Sequence, residues 1–307
     1  MTSVPARRTA GPDRPSRRRG GSGPWPIVFA GPLLFGVAVF YLWPIVQTGY
    51  FSFTSFGVFG GQTWVGLANY AQLLSDPQLY RSLGNTLLYT AIVLLGVPLS
   101  VWLASLLNTP GLRFASFYRV LFFLPYVAMP TAIALVWRII YNGDFGILNW
   151  LLSLVGIRGP YWISTPGWAL VAVAIVGLWS SLGFSMIVLA AGLKAIPPEL
   201  YEAAELDGAT PSRQFLSITV PLLSPSIFFV TVVTVIGSFQ LFDLLYAILG
   251  AQNPATDDSM SLVYYFYRAG FVQNQQGYAA AIAIVILVVI GVVTLVQFRL
   301  QRRWVTT

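Results

Sequence analysis

The chain contains no cysteine and no histidine in 307 residues. Disulfides, thiol nucleophiles, imidazole bases and the commonest zinc ligands are thereby excluded together. Charge is scarce too: 9% of residues are Asp, Glu, Lys or Arg, against about 25% in an average soluble domain. A soluble fold needs a wet surface that this composition cannot supply. There is no GxxxxGK[ST] segment, so the chain does not hydrolyse nucleotide by that route. No repeat with a period of about 20–50 residues is visible. The net charge of +7 does not indicate nucleic acid, because the arginines lie in short flanking segments rather than in a stripe interleaved with aromatics.

What is present is apolar. Hydrophobic residues make up 56% of the chain and aromatics 15%, and the mean hydropathy is +0.73. A membrane-crossing helix needs roughly 20 mostly apolar residues. Six such runs are predicted near 26–48, 84–108, 119–141, 168–192, 222–248 and 278–298. The fold expected is an all-α membrane protein, a six-span helical bundle. Pro32, Pro44, Pro98, Pro125 and Pro130 fall inside these runs. Membrane helices tolerate them where neighbouring groups re-satisfy the freed carbonyls.

Lys and Arg set the orientation, since short cytoplasmic loops carry an excess of them. Thirteen lie on one side: Arg7, Arg8, Arg14, Arg17, Arg18, Arg19, Arg113, Arg119, Lys194, Arg213, Arg299, Arg302 and Arg303. Arg81, Arg138, Arg158 and Arg268 lie on the other. Both termini are therefore expected in the cytoplasm of a multi-pass plasma-membrane protein. Residues 1–24 read as a disordered basic tail and 25–307 as the membrane domain; the first apolar run is too long for the core of a cleaved signal. The segments 49–82, 142–167 and 249–277 are long, polar-aromatic and external, which suggests docking of a partner.

Of the ten acidic residues, Glu199, Glu202, Glu205 and Asp207 crowd into one connection between spans 4 and 5. Pro198 suits the opening of a helix, and Gly208 sits where that helix would end in the left-handed conformation. Ile196, Leu200, Ala203 and Ala204 form its expected apolar face. Thr210 and Pro211 read as the cap and first residue of a second helix, which Pro221 is expected to end. The connection thus reads as helix, glycine turn, helix on the inner membrane surface.

Glu202-Ala203-Ala204, Gly208, Ile218 and Pro221 resemble the EAA loop of permease subunits of binding-protein-dependent ABC importers, with Val220 where that family usually has leucine. Asn85-Thr86-Leu87-Leu88, Phe242-Asp243 with Tyr246, and Gly277-Tyr278-Ala279-Ala280-Ala281 resemble patches of the carbohydrate-uptake branch. The resemblance implies that Glu202, Ala203, Ala204, Asp207, Gly208, Ile218 and Pro221 dock on an ATPase subunit. It also implies a second permease completing a heterodimer, two ATPase subunits that bind ATP and Mg, and an extracytoplasmic solute-binding protein. No cofactor is expected in this chain itself, and membrane lipid surrounds it.

The solute path is expected among polar and aromatic residues of spans 4 and 5: Trp179, Phe184, Phe239, Gln240, Phe242 and Asp243, with Ser180, Ser185 and Ser238 beside them. Polar groups at membrane depth are expensive and usually face a cavity. Aromatic faces suit the C–H surfaces of sugar rings. Gln240 and Asp243, three residues apart, are expected to share one helix face. Plain packing competes as a reading for Trp179 and Phe184. The absence of Lys and Arg from this set favours a sugar or polyol; the same importer class carrying glycerol phosphate or another small solute is the alternative. A membrane enzyme acting on lipid-linked sugar would need paired carboxylates or a metal site, and the only adjacent pair is Asp257-Asp258. A self-contained secondary transporter would show repeats and intramembrane charges.

Overall fold

The computed structural model describes residues 25–56, 61–109 and 111–304; the basic segment 1–24 lies outside them. The chain divides into two units after Gln47. Among the described residues four helices are long and apolar enough to cross a membrane: Val28–Phe51, Pro77–Leu107, Trp168–Lys194 and Gln276–Gln301. They match spans 1, 2, 4 and 6. Two bent helix pairs raise the count to six when each is taken as one span.

Span 1 is helical throughout, with a π-helical turn at Ala38–Leu42. Span 2 starts seven residues before its apolar run, at Pro77. Asp76 accepts from the backbone N–H of Gln78 at 2.8 Å and Pro77 supplies a preset first turn, so cap chemistry extends the helix beyond the hydrophobic signal. Span 4 is the hub of the second unit, touching spans 2, 3 and 5. Ala169, Ala172, Val173, Ala174 and Val176 are all fully covered on it.

Span 3 is not one helix. Ala115–Val127 and Pro130–Ile140 meet at 100°, because Ala128 and Met129 are extended, the conformation a following proline imposes. Each half is only about 20 Å long or less at roughly 1.5 Å per residue, too short to cross alone. Span 5 departs from expectation in the same way. Its helix Ser224–Phe239 stops, and a separate helix Asp243–Leu249 follows. The break holds because Ser261 Oγ donates to the Leu241 carbonyl at 2.5 Å, replacing a helical partner. The shared helix face expected for Gln240 and Asp243 does not exist.

At one end of the bundle, strands Thr54–Phe56 and Gln62–Trp64 pair antiparallel, a hairpin the apolar pattern did not announce. Asn69 Nδ2 ties it down by donating to the carbonyls of Ser52 and Thr54, both at 2.9 Å. The Thr54 carbonyl lies so near Gly277 that a β-carbon there would sit 1.8 Å from it. That contact explains the Gly-Tyr-Ala-Ala-Ala run at the start of span 6: glycine admits the hairpin, and Ala279, Ala280 and Ala281 are buried behind it.

Candidate functional site

The connection between spans 4 and 5 forms the two expected helices. The first, Glu199–Leu206, is followed by Asp207 and by Gly208 at φ +72°. Gly208 N–H donates to the Glu205 carbonyl at 3.0 Å and Ala209 N–H to the Ala204 carbonyl at 2.9 Å. This double closure satisfies carbonyls that the helix end would otherwise leave bare. Thr210 caps the second helix by accepting from Arg213 N–H at 3.4 Å, with Pro211 behind it.

Two details differ from expectation. Pro221 does not end the second helix, which runs to Leu222 before a 67° bend into Ser224–Phe239. A π-helical segment, Phe215–Thr219, closes with Val220 N–H on the Phe215 carbonyl and widens the turn that meets the proline ring. The apolar face also shifts. Ile196 is buried but precedes the helix, while Leu200 and Ala203 are exposed. Tyr201 replaces them, half-buried and bonded through its hydroxyl to Thr219 Oγ1 at 2.9 Å. Ala204, Ile218 and Pro221 are half-buried; Glu199, Glu202, Glu205, Asp207 and Gly208 are exposed. Leu206 stands 91% exposed among the acids. The result is an acid-rimmed knob with Leu206 as its most exposed apolar group.

A second feature lies among the apolar helices. A cavity of about 250 Å³ opens between spans 2, 3, 4 and 5. Its polar lining is all hydroxyl: Tyr89, Tyr126, Ser181, Ser185, Thr234 and Ser238. No charged side chain lines it. Tyr89 reaches the cavity past Gly177, where any β-carbon would fall 2.1 Å from its hydroxyl. Phe184 also lines it, stacked on Tyr126 with centroids 5.3 Å apart.

The other residues expected on the solute path lie elsewhere. Trp179 meets Trp137 edge to face at 5.5 Å. Phe239 is fully buried beside Ser238. Gln240 and Asp243 are exposed on either side of the span 5 break. Phe242 joins Tyr246, Tyr264 and Tyr267 in a ring cluster, its own centroid 4.9–5.8 Å from theirs. Ser180 does not line the cavity. Sequence reasoning missed Tyr89, Tyr126, Ser181 and Thr234, although hydroxyls inside the apolar runs of spans 2 to 5 were a usable signal.

A polar clasp closes the hairpin end. Asp76 Oδ2 accepts from the hydroxyls of Tyr265 and Tyr278, the latter at 2.9 Å. Partial burial works against the charge on Asp76. The hydrogen bonds from Tyr265, Gln78 N–H and Tyr278 outweigh it and hold the carboxyl below its ordinary range. Asn85 Nδ2 donates to the carbonyls of Asp258 and Met260 at 2.7 and 3.0 Å, and Leu262 N–H donates to Thr86 Oγ1 at 3.0 Å. The Asn-Thr pair of span 2 therefore stitches that helix to the segment between spans 5 and 6.

Residues 79–306 match the family described as binding-protein-dependent transport system inner membrane component. The chain belongs to that family. The matched range holds the knob, the cavity and most of the clasp, and it makes this chain a transport component rather than an enzyme. A probable ABC transporter permease protein of Bacillus subtilis, YesP, is 35% identical over 284 residues, covering 90% of each chain. The arabinooligosaccharides permease AraP of the same species is 34% identical, covering 90% of this chain and 88% of its own. The sn-glycerol-3-phosphate permease UgpA of Agrobacterium fabrum is 33% identical, over 89% and 93%. Among solved structures, a bacterial ABC transporter that imports the acidic polysaccharide alginate contains a similar chain. The TM-score is 0.79 at 25% identity, over 91% of this permease and 96% of that chain.

Proposed function

We propose that this permease carries a neutral sugar or similar polyol into the cell, driven by ATP hydrolysis on separate subunits. The observation that carries the reading is the hydroxyl-lined, uncharged cavity enclosed by spans 2 to 5. Hydroxyls and aromatic faces match the two surfaces of a sugar, its O–H groups and its C–H faces. A phosphate would meet no Lys or Arg there. The relatives include permeases named for arabinooligosaccharides, lactose and sn-glycerol-3-phosphate, and the uncharged lining favours the first two chemistries.

The remaining assignments belong to the same reading. Glu202, Ala203, Ala204, Asp207, Gly208, Ile218 and Pro221 shape the knob that docks on an ATPase subunit, with Leu206 as its apolar tip. ATP and Mg are held by a pair of such subunits. A second permease completes the pore, as a heterodimer, and an extracytoplasmic binding protein delivers the solute. The thirteen-to-four Lys and Arg split supports an orientation with the knob and both termini inside and the clasp and hairpin outside. Phe184 contributes to the cavity, while Trp179, Phe239, Gln240, Phe242 and Asp243 support it or line the route towards its outer side.

Uptake by the complete complex in proteoliposomes tests the solute class. Labelled neutral oligosaccharide should enter and glycerol phosphate should not compete. Transport of glycerol phosphate with no uptake of any neutral sugar refutes the reading of the cavity.

A further inference from the structure

The connection between spans 3 and 4 spends its two asparagines on bonds within itself and leaves much of its apolar surface uncovered, with Asp144, Ser153 and Arg158 exposed beside it. Asn149 is the hub: Nδ2 donates to the Gly143 carbonyl at 2.9 Å and the Pro160 carbonyl at 3.3 Å, and Oδ1 accepts from Trp162 Nε1 at 2.7 Å. Asn142 Oδ1 accepts from the backbone N–H groups of Asp144 and Phe145 at 2.9 and 3.1 Å. The Asp144 carboxylate is itself engaged by the Tyr161 hydroxyl at 2.8 Å. The apolar groups face outward. The short helix Ile147–Leu154 and its flanks expose Trp150 (60%), Leu151, Leu154, Val155 (71%), Ile157 and Phe145 (74%). A contiguous apolar patch on a tightly cross-bonded loop needs a cover.

We infer that this face lies in the head-group region of the bilayer, with the helix Ile147–Leu154 resting on the membrane as an interfacial anchor. The occupant is lipid rather than protein for two reasons. First, the patch continues the apolar exterior of the flanking spans: Leu135, Val136 and Ile139 are exposed before it, and Trp168 and Ile175 after it. Second, Trp150, Tyr161 and Trp168 are exposed around it, the residue types that concentrate at the membrane–water boundary. Arg158, exposed and without an acidic partner in the described chain, stands where lipid phosphates would meet it. Such an anchor fixes the vertical position of span 4, the hub around which the cavity is arranged.

The permease has no cysteine of its own, so a single spin label reports a single site when the partner subunits are cysteine-free. Labels at Leu151→Cys, Leu154→Cys, Arg158→Cys and Ser75→Cys are compared in the complete complex. The complex sits in nanodiscs of phosphatidylethanolamine and phosphatidylglycerol, with oxygen and a water-soluble nickel chelate as collision partners. Labels at 151 and 154 should collide severalfold more with oxygen than with nickel, and labels at 158 and 75 should prefer nickel. Nickel preference at 151 and 154 means a face standing in water, and shielding from both reagents means a face covered by protein. Either result overturns the inference. Uptake by the same labelled complexes, reconstituted in proteoliposomes, is measured in parallel, so failure of the anchor is told apart from failure of the transport reading.

Discussion

Gly208 offers the sharpest perturbation of the knob. Its backbone sits at φ +72°, and a β-carbon added there would meet nothing within 4 Å. Steric collision with the rest of the chain is therefore absent, and only the backbone conformation resists substitution. For an L-residue the left-handed region costs about 1–2 kcal/mol, and branching at the β-carbon places Val at the upper end. Since 1.4 kcal/mol is a factor of about ten, the ratio of molecules holding the helix–turn–helix to those in alternative conformations falls roughly 5- to 30-fold. Asn enters this region with little strain. The series Gly208→Asn, Gly208→Ala and Gly208→Val should accordingly lose transport in that order. The assay is ATP-driven uptake by matched amounts of assembled complex, beside solute affinity of the binding protein, which should not move. Wild-type uptake by Gly208→Val refutes the role of the turn. Asn performing as badly as Val refutes the conformational argument, because space rather than φ would then decide.

Three further outcomes follow from the same structure. Gly177→Ala would drive the Tyr89 ring into the cavity, since the new β-carbon lands within 2.1 Å of its hydroxyl; uptake should fall about tenfold or more while basal ATP hydrolysis persists. The Asp76 carboxyl is held below its ordinary 3.8, so its contribution is complete above that value and is lost as pH falls through the lower folded-state value. Thermal unfolding of the complex should lose stability below about pH 4, and Asp76→Asn should remove part of that acid dependence while lowering the melting temperature at pH 7. Finally, Ser217→Cys and Ser75→Cys should react with an impermeant thiol reagent from opposite faces of the membrane; labelling of both from outside intact cells reverses the topology.

How far the sequence could be read depended on which force shaped each element. Spans 1, 2, 4 and 6 are long because lipid demands backbone bonds satisfied within a helix, and hydropathy registers that demand directly. The breaks in spans 3 and 5 have other causes. Pro130 forces Met129 into an extended conformation, a local signal that was present but is overridden in many membrane helices. The stop after Phe239 is held by Ser261, which bonds the Leu241 carbonyl across twenty residues of sequence, and no local pattern encodes it. The knob was legible almost residue by residue because caps and glycine turns are local chemistry. Its packing face was not, since Tyr201 rather than Leu200 or Ala203 finds the Thr219 hydroxyl. The cavity was half legible. Phe184, Ser185 and Ser238 were foreseen, whereas Tyr89 and Tyr126 come from spans 2 and 3 and meet the others only through the tertiary fold.

Reconstituted transport puts the central claim to its most direct test. The permease is assembled in proteoliposomes with its second permease and ATPase subunits, and supplied with its binding protein and a labelled neutral oligosaccharide. The account predicts accumulation that requires both ATP and the binding protein, and that collapses in Gly208→Val with solute binding intact. Accumulation that proceeds without ATP or without the binding protein contradicts it.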